Sequence, residues 1–413
     1  MISYNEEQLM MKEVFRDFLE KELAPIQDDI EHNGVPPYDF MRKLYSQLGI
    51  AEMAASNFRA QIEKEKAAAR GEAVEKDKET GEFNAKRANA TAIQGLLTVE
   101  LAKYGLGIIT SWGVSVGLTY SAIMSRGTIA QKEKWALPLT TFEKVGAWAI
   151  TEPGSGSDAF GAMQATATRT DDGGYLLNGN KTFITNGPYA DTIVFICKLK
   201  EEGVEPKNRR VLSFILDKGM PGLEQSKPFK KMGIMSSPTG ELFLDNVKVG
   251  PDRLIGETEA TEARSGAKKT FTSERSGMAF SALGIVEACL EKSIKYAQER
   301  VQFGVPIGNH QLIQDKLARM EVARINLQNM VFQLIESAGY GKDLSLAEAS
   351  SIKLYSARIA TEVAMEAVQL HGGNGYMAEF RVEQLARDSK IMQIYAGTDE
   401  IQIVAIARDL LSR

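Results

Sequence analysis

The residues with evident chemical potential fall in short segments scattered through the chain. Trp148 to Asp158 reads WAITEPGSGSD, a strand running into a loop with two glycines and three hydroxyls. Such a loop offers backbone and side-chain donors to a phosphate or to the edge of a planar cofactor, and on spacing alone it is equally an ordinary Gly/Ser turn. Phe183-Ile-Thr-Asn-Gly187 sets an aromatic ring and the Thr185 hydroxyl where a planar ligand could lie, or is a strand entering a turn. Gln369 to Tyr376 reads QLHGGNGY, whose glycines allow close backbone approach to a ligand or simply cap a helix. Ile394 to Gln402 reads IYAGTDEIQ, a glycine-broken loop before a helix start capped by Thr398 or Asp399, with amides available to polarise a carbonyl. Glu274, in SERSGMAF, is a candidate proton acceptor. At the start of a long helix it would also interact well with the helix dipole. Arg300 and Phe303 in ERVQFG, with His310 and Gln311 behind them, read as a helix end and chain reversal.

These segments need a scaffold of two kinds. Asn5 with Gln8 resembles a capping box, and Leu9, Met10, Val14, Phe15, Phe18 and Leu19 recur at helical spacing, which predicts a buried face. Between Arg59 and Arg87 charge dominates and aromatics nearly vanish, which predicts an exposed helical arm or mobile insertion outside the core. Helical periodicity returns from about Ala92 to Trp135. Near Val145 the pattern changes to short apolar runs between Gly, Asn and Asp clusters, with Asn178-Gly179 and Pro221-Gly222 as turn signals. After about Ala260 long helical periodicity resumes and continues almost to Arg413. No internal repeat or low-complexity linker interrupts this order of helices, strands and helices.

Composition excludes several classes. The 413 residues are 44% hydrophobic and 25% charged, which disfavours disorder and coil-only structures. A net charge of -5 gives no basic surface for a phosphate backbone, so nucleic acid is not an expected partner. Cys197 and Cys289 are far apart, and His32, His310 and His371 share no metal-ligand spacing with them, so neither a disulfide framework nor a metal site is expected. The start lacks a secretory pattern and no membrane span is expected, which points to the cytoplasm, or to an organelle matrix had a targeting peptide been removed.

Taken together and in order, TEPGSGSD, ITNG, ERVQFG, HGGNGY and RDSKIMQIYAGTDEIQ, with KMGIMSS between the strands, resemble the acyl-CoA dehydrogenase family over residues 151 to 402. The resemblance implies an α+β three-domain fold. Its parts would be an N-terminal helical domain at 1–144 carrying the charged insertion at about 59–87, a middle β-barrel or sandwich domain at 145–258, and a C-terminal four-helix bundle at 259–413. It also implies FAD as cofactor, an acyl-CoA thioester as substrate, α,β-dehydrogenation, a homotetramer and electron-transferring flavoprotein as electron acceptor. By the same resemblance Trp148, Ile150, Thr151, Gly156, Ser157, Phe183 and Thr185 contact FAD, with Ser157 also near the pantetheine. Arg300, Phe303 and Gln311 reach it across a dimer interface, Gln369, Gly372 and Gly373 form the adenine-side loop, and Thr398 and Glu400 complete the set.

One departure bears on mechanism. Most family members carry the catalytic glutamate immediately before Gly-Thr in the C-terminal loop, where this chain has Ala396. A minority, including isovaleryl-CoA and long-chain enzymes, place it on an earlier helix just before an arginine, and this chain has Glu274-Arg275 there. The resemblance therefore implies Glu274 as base, with Arg275, Ser157, Ala396 and Gly397 near the substrate and the Ala396 amide donating to the thioester carbonyl. Where the family commonly has Pro-Glu-x-x-Gly-Gly, this chain has its charged stretch. The implied acyl group is branched or 2-substituted. The competing readings are a flavin-dependent monooxygenase or desulfinase on the same fold, and a subunit that only completes a partner's FAD site.

Overall fold

The computed structural model describes residues 3–72, 82–260 and 263–412, without the side chains of 263–271. The chain opens with the expected capping box. Asn5 Oδ1 accepts from the Gln8 amide at 2.8 Å and Gln8 Oε1 from the Asn5 amide at 3.1 Å, starting the Glu6–Glu22 helix. Its buried stripe is narrower than the spacing suggests: Phe15 and Leu19 are buried, whereas Leu9, Met10 and Val14 are exposed. The helix meets the Ala85–Ala102 helix along one side, where Gln8 donates to Asn89 at 2.9 Å, and Phe18 packs against Phe40 of the Tyr38–Gln47 helix.

The charged stretch is not all surface. The Ile50–Ala69 helix buries Phe58 and Ile62 against Ile123, Trp135 and Leu139, and Glu65 and Lys66 pair with Lys132 at 2.6 Å and Glu133 at 2.8 Å. The expectation of an arm wholly outside the core is corrected for this half, because apolar residues survive among the charges at helical spacing. Residues 73–81 of the stretch lie outside the described residues.

The middle domain is a mixed seven-stranded sheet: β1 (Gly146–Ala149), β2 (Thr166–Arg169), β3 (Tyr175–Thr185), β4 (Thr192–Leu199), β5 (Val211–Asp217), β6 (Leu223–Gln225) and β7 (Thr239–Val249). The order is β1-β4-β2-β3-β7-β6, with β5 also on β4, and β1 and β2 both run parallel to β4. Phe195, Cys197, Phe214, Leu242 and Val247 fill its core. Asn178-Gly179 is not the expected hairpin turn. Strand β3 runs straight through it, with a bulge in its pairing to β7. Gly179 has φ +144° and a Cβ there would stand 2.6 Å from Ala165, so the glycine serves close strand approach instead.

The C-terminal domain packs the Ala263–Glu299, Gln311–Gly339 and Leu346–His371 helices with Val382–Ile391 around Leu283, Val286, Leu327 and Ala364. The Asp399–Ser412 helix follows. Glu274 sits three turns inside the first of these helices, which begins at Ala263. The helix-start alternative for this carboxylate is thereby removed. Among the described residues the stretch Leu106–Arg126 is long and apolar enough to cross a membrane by composition, which qualifies the expectation of no span, and half of its most apolar window is buried inside the protein.

Candidate active site

The site forms where all three domains meet, and its centre is the loop between the last two helices. Ala396 and Gly397 both take positive φ, +53° and +90°. This turns the backbone sharply, so that the Ala396 and Gly397 carbonyls point into a ring of donors. Arg275 Nε donates to the Ala396 carbonyl at 3.3 Å and Arg275 Nη1 to Ser350 Oγ at 3.1 Å. Lys353 Nζ donates to the Gly397 carbonyl at 2.8 Å, and Gln402 Nε2 donates to both carbonyls, at 3.1 and 2.7 Å. The Asp399–Ser412 helix starts behind Thr398, whose hydroxyl accepts from the Ile401 amide at 3.4 Å, as the cap reading expects. Lys353 is fully buried, and burial lowers its pKa despite Asp399 at 3.6 Å.

Glu274 adjoins this loop, one residue before Arg275. It is half-buried, and no hydrogen bond engages its carboxyl among the described residues. Desolvation pushes its pKa up to about 7, against the smaller opposing pull of Arg275 and Lys353. A carboxylate poised there is suited to accept a proton near neutral pH. Tyr395, in the same loop as Ala396, is hydrogen-bonded to the Thr110 side chain.

Asp388 ties the domains together below this loop. Its carboxylate accepts the Leu106 amide of the N-terminal domain at 3.1 Å and the Ile234 amide of the β-domain loop at 2.5 Å. Burial raises its pKa to about 7 against the pull of the two amides. The KMGIMSS segment, between β6 and β7, is thereby fixed against two helices. A Cβ on Gly107 would stand 2.1 Å from Ser236 Oγ, and one on Gly233 would stand 2.7 Å from the Arg387 backbone.

The TEPGSGSD loop leaves β1 on a buried ion pair. Lys181 Nζ donates to Glu152 at 2.8 Å and to the Ile150 carbonyl at 2.9 Å, while Glu152 accepts the Gln164 and Ala165 amides at 2.6 and 3.0 Å. Neither glycine of the loop, Gly154 or Gly156, would meet any atom within 4 Å with a Cβ added. Trp148 and Thr151 are half-buried, Ile150 is buried, and Ser157 is exposed. Across from them Phe183 holds φ +56° and is 69% exposed, with Thr185 half-buried at the end of β3. An open, rigidly anchored loop facing an exposed aromatic fits an extended planar cofactor.

Other expected residues lie apart from this junction. Arg300 and Phe303 are on a two-stranded hairpin, β8 (Val301–Gln302) and β9 (Val305–Pro306), and Phe303 is 95% exposed at φ +52°. Gln311, at the start of its helix, is exposed, as are Gln369, Gly372 and Gly373, whereas Glu400, also exposed, stands at the junction in the first turn of the Asp399–Ser412 helix. Lys181, Lys353 and Asp388 escape sequence reasoning. A buried lysine or aspartate leaves one signal, a lone charge on an otherwise apolar periodic face, as at Lys353 between Ala349 and Ala357.

Sequence profiles of the acyl-CoA dehydrogenase N-terminal, middle and C-terminal domains match residues 5–61, 147–247 and 265–411. The short-chain-specific acyl-CoA dehydrogenase of Megasphaera elsdenii is 37% identical over 403 residues, 96% of this chain and 95% of that one. The mitochondrial isovaleryl-CoA dehydrogenase of Oryza sativa subsp. japonica is 35% identical over 313 residues, 75% of this chain and 74% of that one. The butyryl-CoA dehydrogenase structure from Megasphaera elsdenii superposes with a TM-score of 0.84 at 34% identity, covering 100% of both chains. The chain belongs to the acyl-CoA dehydrogenase family and has its three-domain fold. It is an FAD-dependent oxidoreductase with acyl-CoA dehydrogenase activity.

Proposed function

We propose that Glu274 is the base of this dehydrogenase, taking the proton from C2 of a branched or 2-substituted acyl-CoA. The observation that carries the reading is the Glu274 carboxyl itself: half-buried, without a hydrogen-bond partner among the described residues, and pushed up to about 7 beside the Ala396–Gly397 loop. Loss of that proton and of a hydride from C3 leaves the 2,3-enoyl thioester. FAD, when bound, accepts the hydride. Arg275 holds the Ala396 carbonyl inward, which aims the Ala396 amide outward for the thioester oxygen, where a donor stabilises charge as C2 is deprotonated. Gly397 shapes the same turn. The absence of a carboxylate at position 396 and the likeness to isovaleryl-CoA dehydrogenase both support this base and a branched acyl group.

FAD would be held by the loop and strands from Trp148, Ile150, Thr151, Gly156 and Ser157 to Phe183 and Thr185, with Ser157 also near the substrate. Thr398 and Glu400 would add contacts from the same chain. Arg300, Phe303, Gln311, Gln369, Gly372 and Gly373 would act across a homotetramer's subunit interfaces, which accords with their exposure here. The domains would divide at about 144 and 258, the electron acceptor would be electron-transferring flavoprotein, and the enzyme would work in the cytoplasm. Anaerobic titration with straight, branched and 2-substituted acyl-CoAs tests the reading. Bleaching of the oxidised flavin is expected with the branched or 2-substituted members, and bleaching by straight chains alone would remove the substrate assignment.

A further inference from the structure

Lys353 lies within the Leu346–His371 helix with none of its side chain exposed. Its contacts do not account for a lysine there. Nζ donates to the Gly397 carbonyl at 2.8 Å, but Gln402 Nε2, a neutral donor, already bonds that carbonyl at 2.7 Å. Nζ also faces Asp399 Oδ1 at 3.6 Å, but Asp399 is already paired through Oδ2 with Arg358 at 2.9 Å. Enclosing an ammonium is costly, and a hydrogen bond alone could come from an uncharged residue. What Lys353 adds to the contacts its neighbours make is a positive charge inside the protein.

That charge reaches the proposed base. Ser350, one turn before Lys353 on the same face of its helix, accepts from Arg275 Nη1 at 3.1 Å, so this face is turned to the helical turn that carries Glu274 and Arg275. A Cβ on Gly397 would stand 3.2 Å from Arg275 Nη2. The guanidinium and the ammonium therefore flank one residue of the loop, and both act on the Glu274 carboxyl in favour of its charged form. The other charged or titratable groups of the junction are differently placed. Asp399 and Arg358 pair with each other, and Glu400 is exposed at the start of the last helix. Tyr395, whose hydroxyl feels both Glu274 and Asp388, is kept protonated by burial.

We infer that Lys353 is a positioning residue that serves the reaction through its charge: its enclosed ammonium is the fixed counter-charge of the ionised Glu274 carboxylate, and keeps that base unprotonated until C2 gives up its proton. The inference rests on the proposed role of Glu274. Desolvation by itself favours the protonated carboxyl, which cannot act as a base. A cation enclosed beside it pulls the other way, and being out of solvent it is little screened by salt. Arg358, with more than half of its side chain exposed, cannot replace it in this.

The test follows flavin content and the rate of anaerobic flavin reduction by an acyl-CoA that reduces the parent enzyme, across the pH range on both sides of neutrality. It compares the parent with Lys353→Met, Lys353→Gln, Lys353→Arg and Gln402→Leu. In the two neutral variants the midpoint of the profile should move upward by about one pH unit or more, although Lys353→Gln keeps a donor for the Gly397 carbonyl. Lys353→Arg keeps the charge and should hold the parental midpoint. Gln402→Leu removes hydrogen bonds from the same turn and no charge, so it should slow reduction without moving the midpoint. A parental midpoint in both neutral variants, or loss of flavin from both, would overturn the inference and leave Lys353 a structural donor. A parent profile without a midpoint, or a midpoint that persists in Glu274→Gln, would instead remove the proposed base, and this inference with it.

Discussion

Arg275 holds Ala396 by the carbonyl, its Nε 3.3 Å away, while its Nη1 is anchored on Ser350 at 3.1 Å. The planar guanidinium thus bridges two helices and the loop with one rigid fork. Glu274 is its immediate neighbour in sequence, so the proposed base and the residue that shapes the carbonyl-binding turn are positioned by the same helical turn.

Lysine cannot reproduce that fork. Arg275→Lys is expected to retain flavin but lose about tenfold or more in kcat, because the turn at Ala396 would be held only by Lys353 and Gln402. A kcat equal to that of the parent enzyme would show those two donors to be sufficient.

The Lys181–Glu152 pair is buried beneath the loop that faces Phe183, and Glu152 also satisfies two backbone amides. Removing one partner leaves an uncompensated buried charge. Lys181→Met should cost about 3–5 kcal/mol and release flavin more readily, measurable by denaturant unfolding and by flavin retention on dialysis. Parental stability together with parental flavin content would contradict an anchoring role for the pair.

Within the charged stretch, burial and charge make opposite predictions. Ile62 is buried against the Trp135 cluster, so Ile62→Ala should cost about 2–5 kcal/mol. Lys66 is half-exposed and paired with Glu63 and Glu133, and Lys66→Ala should leave stability close to that of the parent. Thermal melts of the two variants read the difference directly.

Helices, strands and their order were legible because hydrophobic period changes sharply near Val145 and again near Ala260. The failures have local causes. Asn178-Gly179 has the composition of a hairpin turn, but alternation continues on both sides of it and the strand pairs with both neighbours. Leu9, Met10 and Val14 keep helical spacing but stay exposed among the described residues. At the site, Glu274 was readable only beside Ala396. The buried Lys181, Lys353 and Asp388 were not, because a single charged residue in a sequence does not say whether it is solvated or enclosed.

The Glu274 carboxyl is raised by desolvation, so below about pH 7 it is protonated and has no capacity to accept the C2 proton. The rate of flavin reduction should therefore rise with pH through about 7 and level off above it. A flat profile from pH 5.5 to 8.5 would place the proton acceptor elsewhere.

The most direct test is anaerobic stopped-flow reduction of the flavin by a reactive acyl-CoA in the parent enzyme and in Glu274→Gln. The amide keeps the shape of the side chain and cannot take a proton. The account predicts a full flavin complement in both, with reduction slowed in the variant by about a hundredfold to ten-thousandfold. Reduction of Glu274→Gln at the parental rate would contradict it.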